Sequence, residues 1–237
     1  MKKLSYILFV LCFVAGCAED SEATIAIEHK DGLTVYYPQR YSVELVCGTR
    51  PSIEDNSIIF CAEAAFTGQC LDKFVHSNIA GNHVSNGTYY RGYACKVNSG
   101  AFIYYNNTGR FLYKNYSEQL KNAANNGGMG FGQYMIIYNY EEKERYVRGA
   151  LQNYYRALCE IDDKLCVVES DSVLPFNEFV QKLVSLHPKH ALYLDMGTGW
   201  NYSWYRDSQD EIHILHPKRE SSKYQTNWIV FRRKAGN

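Results

Sequence analysis

Apolar and polar positions alternate along much of the chain, and the alternation predicts strands. Leu33-Thr34-Val35-Tyr36-Tyr37, Tyr41 to Val46 and Ser57 to Phe60 have a β-like pattern, and the apolar runs Ala101 to Tyr105 and Tyr134 to Tyr138 read as further strands. Asn106-Asn107-Thr108-Gly109 predicts a turn. Ser117 to Asn126 predicts a short helix, with Ser117 as N-cap and Gly127 past its end. Cys159 to Cys166 predicts a hairpin with Asp162-Asp163 at the tip, which places the two cysteines opposite each other. Late in the chain the period changes. Phe176, Phe179, Val180, Leu183, Val184 and Leu186 recur at helical spacing, with Pro175 at the first helical position and Pro188 limiting the end. Apolar strands flank this helix at Leu165 to Val168 and Ala191 to Leu194. Strand–helix–strand implies a crossover between parallel strands. Tyr224 to Arg232 adds one more strand. The expected fold is α+β, a single domain with a mixed, mostly buried sheet, a few flanking helices and one late βαβ unit.

The amino terminus follows a different logic. Lys2 and Lys3 precede an apolar run from Leu4 to Val14. Eleven residues are too few for a bilayer, which needs ~20, so the run is expected to be a signal peptide. It ends in Val14-Ala15-Gly16-Cys17, which resembles the lipobox of bacterial lipoproteins, with Cys17 as the lipidated residue. The expected organisation is a signal peptide over 1–16, a tether over 17–31 and a domain over 32–237. The expected location is an exported bacterial lipoprotein on the outer membrane, at its periplasmic face or the cell surface.

Composition narrows the function. The chain holds 25 basic and 25 acidic residues, so nothing suggests the positive field that nucleic acid requires. Aromatic residues make up 15 % of the chain, which suits sugar contacts but equally a β-rich core. Six cysteines lie beyond Cys17, and in an oxidising compartment they predict at least one disulfide, Cys159–Cys166 being the pair with local support. In that hairpin the pair falls at a hydrogen-bonded position, which disulfides disfavour. No C-x-x-C or H-E-x-x-H occurs, His76 stands alone, and His187, His190, His213 and His216 lack repeated ligand spacing. No metal or other cofactor is therefore expected. P-loop, dinucleotide and G-x-S-x-G signatures are also missing.

Three segments combine glycine, asparagine, histidine and acids beside apolar strands. They are Ile59 to Gly68 with Gly81 to Gly87, Gly127 to Gly132, and Leu194 to Trp200. In this order they resemble the phosphodiester glycosidase family, whose lysosomal member removes N-acetylglucosamine from a phosphodiester. Glu63-Ala64-Ala65-Phe66-Thr67 stands where that family shows Asn-Gly-Gly-Phe-Phe. Gly81 to Gly87 matches a Gly-x-x-x-x-Asn-Gly turn, Gly127 to Gly130 a Gly-Gly-x stretch, and Arg156-Ala157-Leu158 an Arg-Thr-Ala-like motif. Ala191 to Thr198 matches Ala-Leu-Asn-Leu-Asp-Gly-Gly-Gly, with Met196-Gly197-Thr198 replacing the triple glycine.

The resemblance implies a glycoside hydrolase that cleaves a sugar-1-phosphodiester or related glycoconjugate, bound to the membrane by its lipid. The alternative is a non-catalytic glycan-binding lipoprotein on the same fold. Asp195 is the candidate nucleophile or base, or else a carboxylate capping the following turn. Glu63 is the candidate acid, or a salt-bridged residue. His83 would donate to phosphate or shuttle a proton, or else bond backbone in its turn. Arg156 would fork onto phosphate, or be a buried partner for Asp195 or a neighbouring acid. Asn82, Gly128, Gly130, Gly197, Trp200 and Asn201 are the candidate substrate contacts. For the glycines these are backbone amides, and Trp200, Tyr202 and Trp204 would stack a sugar or fill the core.

Overall fold

The computed structural model describes residues 24–143, 151–197 and 201–234. Among them are nineteen strands and two α-helices. In chain order, β1 (Ile25–Lys30), β2 (Leu33–Pro38), β3 (Tyr41–Cys47) and β4 (Ile58–Glu63) come first. A one-turn 3-10 helix at His76–Asn78 then leads to β5 (His83–Ser85), β6 (Thr88–Tyr90), β7 (Gly100–Tyr105) and β8 (Thr108–Tyr113). After α1 (Ser117–Asn125) follow β9 (Met129–Gln133), β10 (Met135–Tyr138) and β11 (Glu141–Glu142). Next are β12 (Gln152–Asn153), β13 (Arg156–Ile161), β14 (Lys164–Ser170) and β15 (Leu174–Pro175). The chain continues through α2 (Phe176–Ser185), β16 (His190–Leu194), β17 (Ser203–Arg206) and β18 (Ile212–His216) to β19 (Asn227–Arg233).

The strands form four sheets. The largest runs β1-β2-β14-β13-β16-β10-β11, two five-stranded sheets run β18-β17-β4-β19-β3 and β6-β5-β9-β7-β8, and β12 pairs with β15. Every pairing between these strands is antiparallel. The fold is thus predominantly β, which corrects the expected α+β class with its mixed sheet. The reason is that β5, β6, β12 and β15 are too short to show alternation, and β9 is built on glycines that mask it.

The expected crossover takes a modified form. β14 and β16 run parallel, but β13 lies between them, antiparallel to both. The tight hairpin before β14 inserts that strand, so α2 spans a slot two strands wide. Phe176, Phe179, Val180 and Leu183 are its buried face. They cover one side of the large sheet, against Ala157, Cys159, Cys166, Val168 and Ala191. The alternate residues Tyr36, Leu158, Val167 and Leu192 face a second core shared with Phe60, Phe102, Phe131 and Phe231 from the two five-stranded sheets. Period-two alternation therefore serves two cores at once.

Several local expectations shift. Ser117 is the first helical residue and makes no side-chain cap, with Tyr116 in the N-cap position. Pro175 is the N-cap of α2 rather than its first helical residue. Ile25–Lys30, part of the polar stretch expected to be tether, forms edge strand β1 on β2. All six described cysteines are free thiols, which corrects the expected disulfide. Cys159 does face Cys166 across the hairpin. The Cys166 thiol instead contacts the Cys159 carbonyl at 3.7 Å, as suits the hydrogen-bonded position that disulfides disfavour. Cys17 and the expected signal segment lie outside the described residues.

Candidate active site

Register places most of the ionisable candidates at one sheet edge. Arg156 opens β13 and stands opposite Glu169 near the end of β14 and Leu194 at the end of β16. Asp195 follows directly. Its amide donates to the Ala64 carbonyl at 3.0 Å, tying this edge to the loop after β4, whose last residue is Glu63. Asn227 secures the same loop by accepting from the Ala65 amide at 2.8 Å and donating to its carbonyl at 2.9 Å.

Two carboxyls meet there, both buried. Asp195 is 6 % exposed and Glu63 0 %. The Asp195 carboxylate accepts the Gly197 amide at 3.0 Å and is also bonded by the amides of Thr67 and Met196. Burial outweighs these bonds and pushes the Asp195 pKa up to about 6. Glu63 accepts from Thr67 Oγ1 at 3.2 Å and from Gln225 Nε2 at 2.6 Å. Burial, reinforced by the charge of Asp195, holds the Glu63 carboxyl well above the usual range. Both carboxyls are thus held above the ordinary carboxylate range, Glu63 with the added push of the Asp195 charge. Thr67 touches both.

Arg156 is fully buried and pairs with an acid, though not with Asp195. Its Nε donates to Glu169 Oε2 at 2.5 Å, Nη2 joins the same oxygen, and Nη2 also donates to Ser203 Oγ at 2.6 Å. His216 Nε2 bonds the other Glu169 oxygen at 2.6 Å. Burial alone would raise the Glu169 carboxyl, but the Arg156 charge and His216 together hold it below the ordinary range. Among the described residues, Arg156 Nη1 and Asn201 Oδ1 are buried without a partner. A cavity of about 420 Å³ opens on the Glu169–His216 side, lined also by Tyr36, Tyr154, Asp171 and Arg219. That volume suits a ring-sized ligand. Glu169, His216, Ser203 and Thr67 were not among the sequence candidates. His216 reaches Glu169 through folding alone.

Other candidates fall elsewhere. His83 hydrogen-bonds the Gly81 carbonyl (3.3 Å) and His76 (3.0 Å), and neither carboxyl. Burial lowers its pKa to about 4, so at neutral pH it brings no positive charge to a phosphate. Spacing along the chain gave no metal-ligand set, yet the fold gathers Cys47, His76 and His83, whose ligand atoms all lie within 4.8 Å of one another. Gly128 and Gly130 offer no free anion nest. The Gly128 amide donates to the Ala123 carbonyl, and Gly130 lies in β9 between β5 and β7. A Cβ on Gly130 would meet Ile103, Leu120 and the Phe102 carbonyl at 2.8–3.0 Å, so close packing explains this glycine. Asn82 lines a separate cavity with Tyr93, Asn98 and Tyr116. Gly197 contacts Asp195, and Asn201 carries the orphan oxygen near Ser203. Tyr202 and Trp204 are core residues, and Trp200 lies outside the described residues.

Fold comparison places the chain beside a glycosidase. It superposes on the catalytic domain of zebrafish N-acetylglucosamine-1-phosphodiester alpha-N-acetylglucosaminidase, auto-inhibited by its pro-peptide, with a TM-score of 0.56 and 12 % identity, covering 89 % of this chain and 82 % of that one. At that identity the likeness shows a shared fold. A hypothetical protein from Synechocystis gives a TM-score of 0.48 at 12 % identity, over 88 % of this chain and 61 % of its own. No family model matches the sequence, and no curated protein does.

Proposed function

We propose that this chain is an exported, lipid-anchored glycoside hydrolase that releases a sugar from a sugar-1-phosphodiester or a related glycoconjugate. The observation that carries the proposal is the pair of buried carboxyls at one sheet edge, Asp195 and Glu63, each with its pKa raised by burial and both touched by Thr67. Glycoside hydrolysis uses a pair of carboxyls flanking the scissile bond, one as acid and one as nucleophile or base. The fold supports it through the reaction named for the zebrafish enzyme.

In this scheme Asp195 stabilises or attacks the anomeric carbon, and Glu63 supplies the proton. The bond between that carbon and the phosphate oxygen breaks, and water completes the products. Arg156 supplies a donor to the phosphate through Nη1, with Glu169 and Ser203 fixing its guanidinium. His83 is given no part. A test incubates the mature protein with the methyl diester of N-acetylglucosamine-1-phosphate. Release of free sugar is expected, reduced ~10²–10⁴-fold in Asp195→Asn. Equal turnover by the variant would sink the scheme. A glycan-binding role is the second reading, favoured by how little of either carboxyl reaches the surface. Tight binding of the diester with no turnover would establish that role instead.

The anchor is proposed on Val14 to Cys17. Cys17→Ser should abolish labelling by a radiolabelled fatty acid and release the protein from membranes. An unlabelled parent protein would refute it.

A further inference from the structure

We infer that Cys47, His76 and His83 form a binding site for a zinc ion, held by one thiolate and two imidazoles with a fourth position open to water. The three ligands come from separate segments: the end of β3, the 3-10 turn at His76–Asn78 and the start of β5. Ser85 Oγ donates to the Leu45 carbonyl at 2.7 Å, clamping β5 to β3 two residues from two of the ligands.

The geometry suits tetrahedral zinc. Metal–ligand lengths of ~2.3 Å for sulfur and ~2.0–2.1 Å for nitrogen separate neighbouring donor atoms by about 3.3–3.6 Å. His76 Nδ1 lies 3.0 Å from His83 Nε2, and all three donors lie within 4.8 Å of one another. Small movements of half-buried His76 and Cys47 close the set. His83 is oriented for it. Its Nδ1–H donates to the Gly81 carbonyl, which leaves the Nε2 lone pair facing the other donors. Zinc-ligating histidines use their second nitrogen in this way.

The surroundings hold the rings in place. Tyr90 stacks on His76 with centroids 3.4 Å apart, and Phe74 meets the His76 ring edge-on at 5.0 Å. Gly48, at φ +79°, follows Cys47, and a Cβ there would strike the Phe74 ring at 2.5 Å. Cys47 and His76 remain partly exposed, so an ion can enter and a water can occupy the open position. Mixed sulfur and nitrogen donors favour zinc over calcium or magnesium, which take oxygen. Binding replaces the Cys47 S–H bond with S–Zn and releases one proton to solvent.

The test titrates the chelator-treated, reduced mature protein with zinc chloride, and reads cobalt spectra in parallel. One zinc per chain is expected, and cobalt should give a thiolate charge-transfer band. Cys47→Ser should remove that band. His76→Gln sits at a half-exposed position where folding is readily checked by thermal unfolding. It should weaken zinc binding by more than the ~10–100-fold typical of losing an outer-shell partner. His213→Gln is the control, because Asp207, Glu211 and His213 form the other cluster of metal-ligand types among the described residues. The inference fails if zinc does not bind, if His76→Gln binds as the parent does, or if His213→Gln abolishes binding. None of these readouts depends on glycosidase activity.

Discussion

Asp195 and Glu63 shift in the same sense, and both make stability depend on pH. Each carboxyl has a higher pKa in the folded chain than in the unfolded one. Each therefore binds its proton more tightly when folded, and its contribution to stability is complete below the unfolded value of ~4. That contribution is lost as pH rises through the folded value, about 6 for Asp195. A rise from 3.8 to about 6 corresponds to ~3 kcal/mol. Asp195→Asn removes the titration, so urea unfolding at pH 4.5 and pH 7 should show a smaller loss of stability than in the parent. Equal losses would refute the assignment. In the proposed reaction kcat/KM should fall as pH drops below about 6 and Asp195 gains its proton. Glu169 behaves in the reverse sense. Its pKa is lowered, so its stabilisation is present above ~4 and lost as pH falls further. Arg156→Leu leaves Glu169 buried with only His216, and should cost ~3–5 kcal/mol by chemical denaturation.

At the scale of elements, short turns and close glycine contacts fix the register. Asp162 and Asp163 sit at φ +49° and +57°, the left-handed pair of a two-residue hairpin, and they put Arg156 opposite Glu169. Asp163→Gly should relieve strain at the tip and raise stability by up to ~1 kcal/mol, the gain offset in part by a more flexible unfolded chain. A fall in stability would show that the aspartate has a further role. Gly130 is the opposite case. Ala there overpacks the contact of β9 with Ile103 and Leu120, and ~1–3 kcal/mol of destabilisation is expected from thermal unfolding. The hairpin was legible because its signal is local: turn residues flanked by alternating apolar positions. β9 was not, since glycine removes the side chains that would show alternation.

At the scale of the molecule, two cores lie on opposite faces of the large sheet, and β4 brings Glu63 from a second sheet to its edge. The same arrangement buries Cys61, Cys159 and Cys166 as separate thiols. Alkylation of the unfolded, unreduced protein should therefore modify all six described cysteines. Any disulfide-linked peptide in a non-reducing map would contradict this.

By itself the sequence determined the strands with clear alternation, the amphipathic face of α2 and the Asp162-Asp163 hairpin. These follow from residue spacing within one element, which periodicity reports directly. It also fixed the chemistry available at Arg156 and His83, but not their partners. Only the tertiary structure decided that the pairing is antiparallel, that Arg156 binds Glu169, and that His216 completes that group. The same holds for the meeting of His83 with His76 and Cys47. Each of these contacts joins residues from separate elements, and they became neighbours only because burying apolar faces fixed the register and packing of the sheets that carry them.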